Sequence, residues 1–120
     1  MLISQSRGIA VSSWIGTLLL MYGASTFAAE GETLFAPCIA CHGSRGEGNA
    51  TLNAPAIAGQ DAAYLERQLL NFRNRRRGVD KSDVPGAQMQ AMATTLADDA
   101  AVAKVASYVA SLPKTVNAAP

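Results

Sequence analysis

The sequence predicts a small all-α protein built from three to four helices. Apolar residues recur at helical spacing in two separate stretches of the chain, and no run of β-branched residues is long enough to supply strands. The segments between the helical stretches are rich in glycine and proline, which are typical of loops. The residues that follow an N-terminal leader suffice for one domain with a small core.

The first 28 residues have the organisation of a secretory signal peptide. Arg7 supplies an early positive charge, an apolar stretch runs from Ile9 to Tyr22, and small residues follow it. We expect cleavage after Ala28 and export to the periplasm. An uncleaved membrane anchor is the alternative, but polar residues interrupt the apolar stretch, which is shorter than the roughly 20 residues that a membrane span needs.

Residues 32–40 are expected to form the first helix after the leader, with Leu34 and Phe35 available for packing. This helix leads into the pattern Cys38-Ile39-Ala40-Cys41-His42. Cysteines three residues apart lie on one face of a helical turn. The C-x-x-C-H spacing is typical of covalent haem attachment, in which each thiol adds to a porphyrin vinyl group and the histidine binds the iron.

Three other uses of this pattern fit the residues less well. A disulfide across C-x-x-C closes a tight loop with little entropic gain and leaves His42 without a role. A thioredoxin-like redox pair usually lies near a βαβ pattern, for which the strands are lacking. A structural zinc site needs four ligands, whereas the chain has two cysteines and one histidine. We therefore interpret Cys38, Cys41 and His42 as the attachment site of one haem c.

Residues 43–60 are rich in glycine, asparagine, alanine and proline and predict a long loop. A loop of this length without structure of its own usually serves a ligand or a function, and wrapping one edge of a haem is such a function. Asp61 is expected to cap the next helix, in which Leu65, Leu69 and Phe72 lie on the face toward the core.

A second loop is expected from Gly78 to about Gln88, because it contains Pro85-Gly86. The last helix is expected to start near Asp98 and to end before Pro113. Its apolar face consists of Val102, Val105, Val109 and Leu112. The domain is therefore expected to span residues 29–113, and residues 114–120 are expected to form a loose C-terminal tail.

Counting the histidines and methionines limits the candidates for the second axial ligand of the iron. His42 is the only histidine in the chain, which excludes a second histidine ligand from the same polypeptide. Met1 and Met21 belong to the leader, so Met89 and Met92, which are expected in the loop before the last helix, remain as candidate thioether ligands. Methionine opposite histidine raises the reduction potential, which suits an electron carrier. The alternative for either methionine is ordinary packing in the core.

Short patterns spread over about residues 31–112 match those of a known family in the same order. They are Gly31-x-x-Leu34-Phe35, Cys38-x-x-Cys41-His42-Gly43, Pro55-x-Ile57-Ala58-Gly59-Gln60, Tyr64-Leu65-x-x-Gln68-Leu69, Met89-x-x-Met92-Ala93-x-x-Leu96 and Tyr108-Val109-Ala110-Ser111-Leu112. On these residues the chain resembles class I c-type cytochromes and is most similar to one half of the diheme bacterial cytochromes c.

This resemblance implies roles for individual residues. The first methionine of the family's M-x-x-M-A-x-x-L pattern is the axial ligand, which favours Met89 over Met92. The carbonyl of the proline that matches Pro55 accepts a hydrogen bond from the haem-ligating histidine. Gly31 and Tyr108 match the place where the first and last helices cross closely, and glycine permits that approach.

The resemblance also implies a small cytochrome c fold, with its helices wrapped around one covalently bound haem, and a mono-haem one-electron carrier that is not an enzyme. Its partners would be redox proteins, such as a membrane oxidase or a dehydrogenase. A haem subunit of a larger periplasmic dehydrogenase complex is one alternative. An open-site haem enzyme or sensor, in which no methionine binds the iron, is another.

Charge excludes one class of function and marks one surface. Ten basic residues less Arg7 leave nine, which balance the nine acidic residues, and this neutrality argues against nucleic-acid binding.

Basic residues cluster around the end of the helix that is expected to start at Asp61. They are Arg73, Arg75, Arg76, Arg77 and Lys81. We expect a solvated helix end whose cations suit the C-terminal dipole; docking to an acidic redox partner is the alternative.

Overall fold

The computed structural model describes residues 26–115 of the chain. Its helices are α1 (residues 26–35), α2 (Ile39–His42), α3 (Ala62–Arg73), α4 (Val84–Ala93) and α5 (Asp99–Ser111). Single 3-10 turns occupy Ala36–Cys38 and Ala50–Leu52. Within residues 26–115 the β-type pairing is limited to an isolated bridge between Asn49 and Ala54. The prediction of an all-α protein is confirmed.

The two ends of the chain lie largely outside the described residues. The expected signal peptide, residues 1–28, is described only over residues 26–28, and the expected tail only over residues 114–115. Residues 26–28 belong to α1, so this helix crosses the expected cleavage point after Ala28. In the part of the chain that is described, no helix is long and apolar enough to cross a membrane.

The segment expected as a single helix over residues 32–40 is divided into three helical pieces. Helix α1 ends at residue 35, one 3-10 turn follows, and α2 begins at Ile39. Pro37 lies at the start of the 3-10 turn. Because proline has no N–H to continue an α-helical ladder, the α-helix is interrupted here by a 3-10 turn. The predicted boundaries of this helix are therefore wrong, although its helical character is right.

The core is centred on α5, which contacts α3 along its length. Val102 is fully buried, and the faces predicted for α3 and α5 are confirmed because Leu65, Phe72, Val105 and Val109 are also buried. The buried cluster consists of Phe35, Leu65, Leu96, Ala101, Val102, Val105, Ala106 and Val109. This cluster joins the end of α1 to α3 and α5.

Helices α1 and α5 cross closely at Gly31, as the resemblance implies. A methyl group on Gly31 would lie 2.6 Å from the backbone oxygen of Lys104 and 2.8 Å from Cβ of Tyr108. One turn further along α1, the ring of Phe35 lies 5.6 Å from the ring of Tyr108. The crossing therefore needs a residue without a side chain on α1, and it places the end of α1 against the core.

Aspartate side chains cap the helices that follow the long loop. The Oδ1 atom of Asp61 accepts a hydrogen bond from the Tyr64 N–H at 2.8 Å, as predicted for the start of α3. The Oδ1 atom of Asp98 accepts from the Ala101 N–H at 2.7 Å, so the last helix starts where it was expected. Each cap satisfies a backbone donor that the first turn of a helix leaves free.

The loop expected from Gly78 to about Gln88 contains the first half of a helix, so this prediction is wrong. Helix α4 begins at Val84, and the Oδ1 atom of Asp83 accepts a hydrogen bond from the Gly86 N–H at 2.9 Å. Pro85 lies in the first turn, where a missing N–H costs nothing. Both candidate methionine ligands therefore lie on a helix rather than in a loop.

Candidate haem site

His42 is buried at the end of α2, with 8% of its surface exposed. Its Nδ1 atom lies 2.8 Å from the carbonyl oxygen of Pro55. Because a carbonyl oxygen can only accept, Nδ1 carries the proton, and Nε2 of the neutral ring keeps a lone pair. Nε2 has no hydrogen-bond partner among residues 26–115. The ring is therefore fixed in the tautomer that a metal ligand needs.

The loop after α2 is folded so that Pro55 meets His42. The Ile57 N–H donates to the carbonyl oxygen of Gly46 at 2.9 Å, and the Gly48 N–H donates to that of His42 at 2.7 Å. Gly48 has a φ of +84°, and a Cβ there would lie 2.8 Å from the carbonyl carbon of Pro55. Glycine is needed for both reasons. In the sequence, the only signal for Gly46 and Gly48 is that glycine recurs within one short loop.

The two cysteines flank the junction between the 3-10 turn and α2. Both thiols are free, Cys41 is exposed, and Cys38 is half-buried against the core. Burial, followed by the charge of Cys41, raises the pKa of the Cys38 thiol above its ordinary value. Among the described residues no group of three or more His, Cys, Asp or Glu side chains could hold a metal ion.

Met89 and Met92 lie one turn apart on α4 and so share a face of that helix. Both side chains are half-buried. Neither is among the half-buried side chains that pack against the core cluster. The core cluster therefore does not account for their partial burial, and both methionines stay candidate ligands.

The helices that carry the candidate ligands, α2 and α4, do not pack extensively against each other. Helix α3 packs against both α4 and α5, whereas α2 and α4 share no extensive contact. Apolar side chains remain exposed on both ligand-bearing helices: Ile39 within α2 is 39% exposed, and Val84 at the start of α4 is 59% exposed. Exposed apolar side chains in a domain with a small core suit a site that an apolar group covers.

The donor set fits a covalently bound haem. It comprises an imidazole whose Nε2 has a free lone pair, two free thiols three residues apart, and two thioethers on a separate helix. Histidine and methionine are axial ligands of c-type haem iron, and the thiols supply the covalent bonds. The structure thus brings Cys38, Cys41, His42 and Pro55 close together. Met89 and Met92 lie on a separate helix, α4.

The basic cluster at the end of α3 is divided between engaged and free side chains. The Nη1 atom of Arg77 donates to Oε1 of Gln68 at 2.8 Å, and its guanidinium lies 4.6 Å from the centre of the Phe72 ring. Arg73 bonds to the segment before α5. Within residues 26–115, Arg75 and Arg76 are exposed and make no side-chain hydrogen bond or ion pair.

The acidic residues near this cluster accept hydrogen bonds from residues two or three positions further along the chain. The Oδ1 atom of Asp80 accepts from the Ser82 N–H at 2.8 Å and from its hydroxyl at 2.7 Å, which together lower the pKa of the Asp80 carboxyl. Asp83 caps α4. Because neither carboxylate pairs with an arginine, the positive charges of Arg75 and Arg76 face solvent.

Comparison with known proteins identifies a family. The family model for cytochrome c matches residues 28–113. The chain is 37% identical over 84 residues to cytochrome c-554(548) of Halomonas halodenitrificans, a match that covers 70% of this chain and 94% of that protein. It is 36% identical over 118 residues to a thiosulfate dehydrogenase electron acceptor of Thiomonas intermedia, covering 98% of this chain and 49% of that protein.

A solved structure has the same fold over part of its length. The reduced recombinant cytochrome c4 of Pseudomonas stutzeri superposes with a TM-score of 0.64 and 28% sequence identity, covering 74% of this chain and 50% of that one. The chain spans about half or less of the length of the cytochrome c4 relatives that it matches.

Proposed function

This chain belongs to the cytochrome c family and binds haem c covalently, and from that premise we propose that it is a mono-haem electron carrier whose iron is held by His42 and Met89. The observation that carries the proposal is the 2.8 Å hydrogen bond between His42 Nδ1 and the carbonyl oxygen of Pro55, because it leaves Nε2 as the ligand atom. When bound, the haem supplies one-electron exchange between ferrous and ferric iron.

Each residue of the site has a separate task in this proposal. Cys38 and Cys41 attach the porphyrin, and α2 carries them together with His42. Pro55 orients the imidazole and increases its basicity as a ligand. Met89, with Met92 as the alternative, supplies the thioether from α4 and raises the reduction potential. Family resemblance, rather than position on α4, favours Met89.

The proposed domain runs over residues 29–113, preceded by a leader over residues 1–28 that directs export to the periplasm. The family match over residues 28–113 supports these limits. Residues 114–120 form a tail in this proposal. If the leader were retained, the carrier would be attached to the membrane.

A second candidate function is the haem subunit of a larger periplasmic dehydrogenase complex. The favouring observation is the similarity over 98% of this chain to a protein named as a thiosulfate dehydrogenase electron acceptor. A dehydrogenase is thus one class of electron donor for this chain. Purification under mild conditions separates the two candidates, because a subunit elutes with a second polypeptide and a free carrier elutes alone.

Docking to an acidic redox partner is proposed for the exposed part of the basic cluster. Arg75 and Arg76 support it because their side chains make no hydrogen bond or ion pair within the described residues. By contrast, Arg73 forms an ion pair with Asp99, and the Arg77 side chain is hydrogen-bonded to Gln68. Complementary charge raises the association rate more than the affinity. Changing both free arginines to glutamine should slow electron transfer at low salt and flatten its salt dependence; unchanged rates and salt dependence would end the docking idea.

The proposed carrier function is tested on protein purified from cells competent in haem attachment. Haem stain on a denaturing gel should follow the wild-type chain and be lost when Cys38 and Cys41 are both changed to alanine. A redox titration should fit one one-electron centre. The reduced protein should bind carbon monoxide slowly, because methionine occupies the sixth position. Rapid carbon monoxide binding would instead support an open-site enzyme or sensor.

A further inference from the structure

We infer that Arg73 is a positioning residue for the methionine-bearing end of α4, and that it acts by clamping the connection between α4 and α5. The inference rests on the proposed ligation of the iron by Met89. Arg73 does not reach the iron ligand itself; it holds the segment that follows the ligand helix.

The side chain of Arg73 joins three acceptors far away in the sequence. Its Nε donates to the carbonyl oxygen of Leu96 at 3.2 Å, and its Nη2 donates to that of Ala97 at 2.9 Å. Its Nη1 forms an ion pair with Oδ1 of Asp99 at 2.7 Å. The Arg73 side chain is 24% exposed, so these bonds are partly shielded from water. The planar guanidinium suits several fixed acceptors at once.

The clamped segment is directly continuous with α4. The N–H of Leu96 donates to the carbonyl oxygen of Ala93, the last residue of the helix, at 3.2 Å. The N–H and hydroxyl of Thr95 both donate to the carbonyl oxygen of Met92, at 3.1 and 2.7 Å. A displacement of Leu96 therefore moves the last turn of α4, on which Met92 lies one turn after Met89.

Other contacts hold the first turn and the second half of α4, and they do not involve Arg73. Asp83 caps the first turn, and Nε2 of Gln90 donates to the carbonyl oxygen of Arg77 at 3.2 Å. Gly78 packs against the backbone of Gly86. Loss of the clamp therefore removes three bonds at the C-terminal end of α4, where burial of Ala93 and Leu96 remains, and leaves the contacts at the N-terminal end unchanged.

The side chain of Asp99 is 75% exposed and can be solvated when Arg73 is removed, whereas the bond from Arg73 to Leu96 is partly buried. Loss of Arg73 should therefore loosen the connection without unfolding the domain. A looser α4 releases its thioether from iron more often, and an added ligand then competes more easily for the sixth position.

The test measures imidazole binding to the ferric protein, together with the sulfur-to-iron charge-transfer band. Arg73→Gln should bind imidazole about 10-fold more tightly than wild type, a change of about 1.4 kcal/mol, which is the net contribution of about one of the three hydrogen bonds. Arg73→Lys should fall between the two, because one ammonium cannot reach all three acceptors. Arg76→Gln is the matched control, because it removes the same charge from an unpartnered side chain and should change the affinity by less than about twofold.

A second comparison separates positioning from general stability. Val109→Ala weakens the core near the C-terminal end of α5, away from Asp99 at its start, and leaves the three acceptors of Arg73 in place. It should lower the unfolding temperature at least as much as Arg73→Gln and leave imidazole affinity unchanged. Equal imidazole affinity in Arg73→Gln and wild type would overturn the inference, and so would an equal gain in Arg76→Gln.

Two further outcomes keep the inference distinct from the proposed function. If wild type lacks the sulfur-to-iron band, methionine ligation fails and the inference fails with it. If the band is present and is lost in Met89→Leu, but Arg73→Gln leaves imidazole affinity unchanged, only the inference fails. Should Arg73→Gln not accumulate, Asp99→Asn removes the ion pair alone and should still tighten imidazole binding about threefold; no change would overturn the inference.

Discussion

Replacing Gly31 by alanine tests the closeness of the α1–α5 crossing. The added Cβ would lie 2.8 Å from Cβ of Tyr108 and 2.6 Å from the backbone oxygen of Lys104. Carbon atoms pack best at about 3.5–4.0 Å, so the helices must separate by roughly 1 Å. Overpacking of this kind costs about 1–3 kcal/mol, and weakening the Phe35–Tyr108 ring contact costs about 0.5–1.5 kcal/mol more. Alanine also gains about 1 kcal/mol of helix propensity over glycine.

The net result for Gly31→Ala is a loss of about 1.5 kcal/mol, which lowers Tm by about 6–12 °C for a domain of this size. Thermal unfolding of the oxidised holoprotein, followed by circular dichroism, measures it. Ser107→Ala is the control, because Ser107 is exposed on α5 and its change should stay within about 0.5 kcal/mol. If Gly31→Ala were as stable as wild type, the close crossing and the reasoning from it would be refuted.

Three other predictions concern single residues. Asp98→Ala removes the acceptor of the Ala101 N–H at the start of α5 and should cost about 1 kcal/mol in urea unfolding, whereas Asp98→Asn should cost less. Arg75 has a φ of +56°, so Arg75→Gly should stabilise the protein by about 1 kcal/mol, and Arg75→Ala, which keeps the strain, should not. Backbone N–H groups of Glu47 and Arg45 lower the pKa of the Glu47 carboxyl. The ionised carboxylate therefore stabilises the fold at pH values above its ordinary pKa of 4.5. This contribution is lost as pH falls through the lowered pKa. Glu47→Gln should therefore have a lower Tm than wild type at pH 7, and the difference should shrink as pH falls below 4.5; a difference that stays constant would contradict the assignment.

Local sequence signals were sufficient for helices α3 and α5. Asp61 and Asp98 precede stretches with apolar residues at helical spacing, and both features depend on residues within one or two turns of each other. The local sequence did not predict helix α4, because Pro85-Gly86 in its first turn is typical of a turn or loop. Its start is nevertheless encoded by Asp83, which precedes a proline in the first helical turn.

Some residues of the site could be predicted from local sequence patterns, and others could not. The spacing of Cys38, Cys41 and His42 is a local signal and predicts haem attachment directly. The Pro55 carbonyl is 13 residues from His42 and meets it only because the glycine loop folds back, so resemblance rather than local pattern indicates it. Arg73 has no local signal either, because its partners lie 23 to 26 residues further along the chain. Its charge alone suggests a surface role.

The most direct test of the proposed site is the absorption spectrum of the oxidised protein with Met89 or Met92 changed to leucine. The sulfur-to-iron charge-transfer band reports a thioether on ferric haem. We predict that the band is present in wild type and in Met92→Leu and absent in Met89→Leu. Loss of the band only in Met92→Leu, or its persistence in both variants, would contradict ligation of the iron by His42 and Met89.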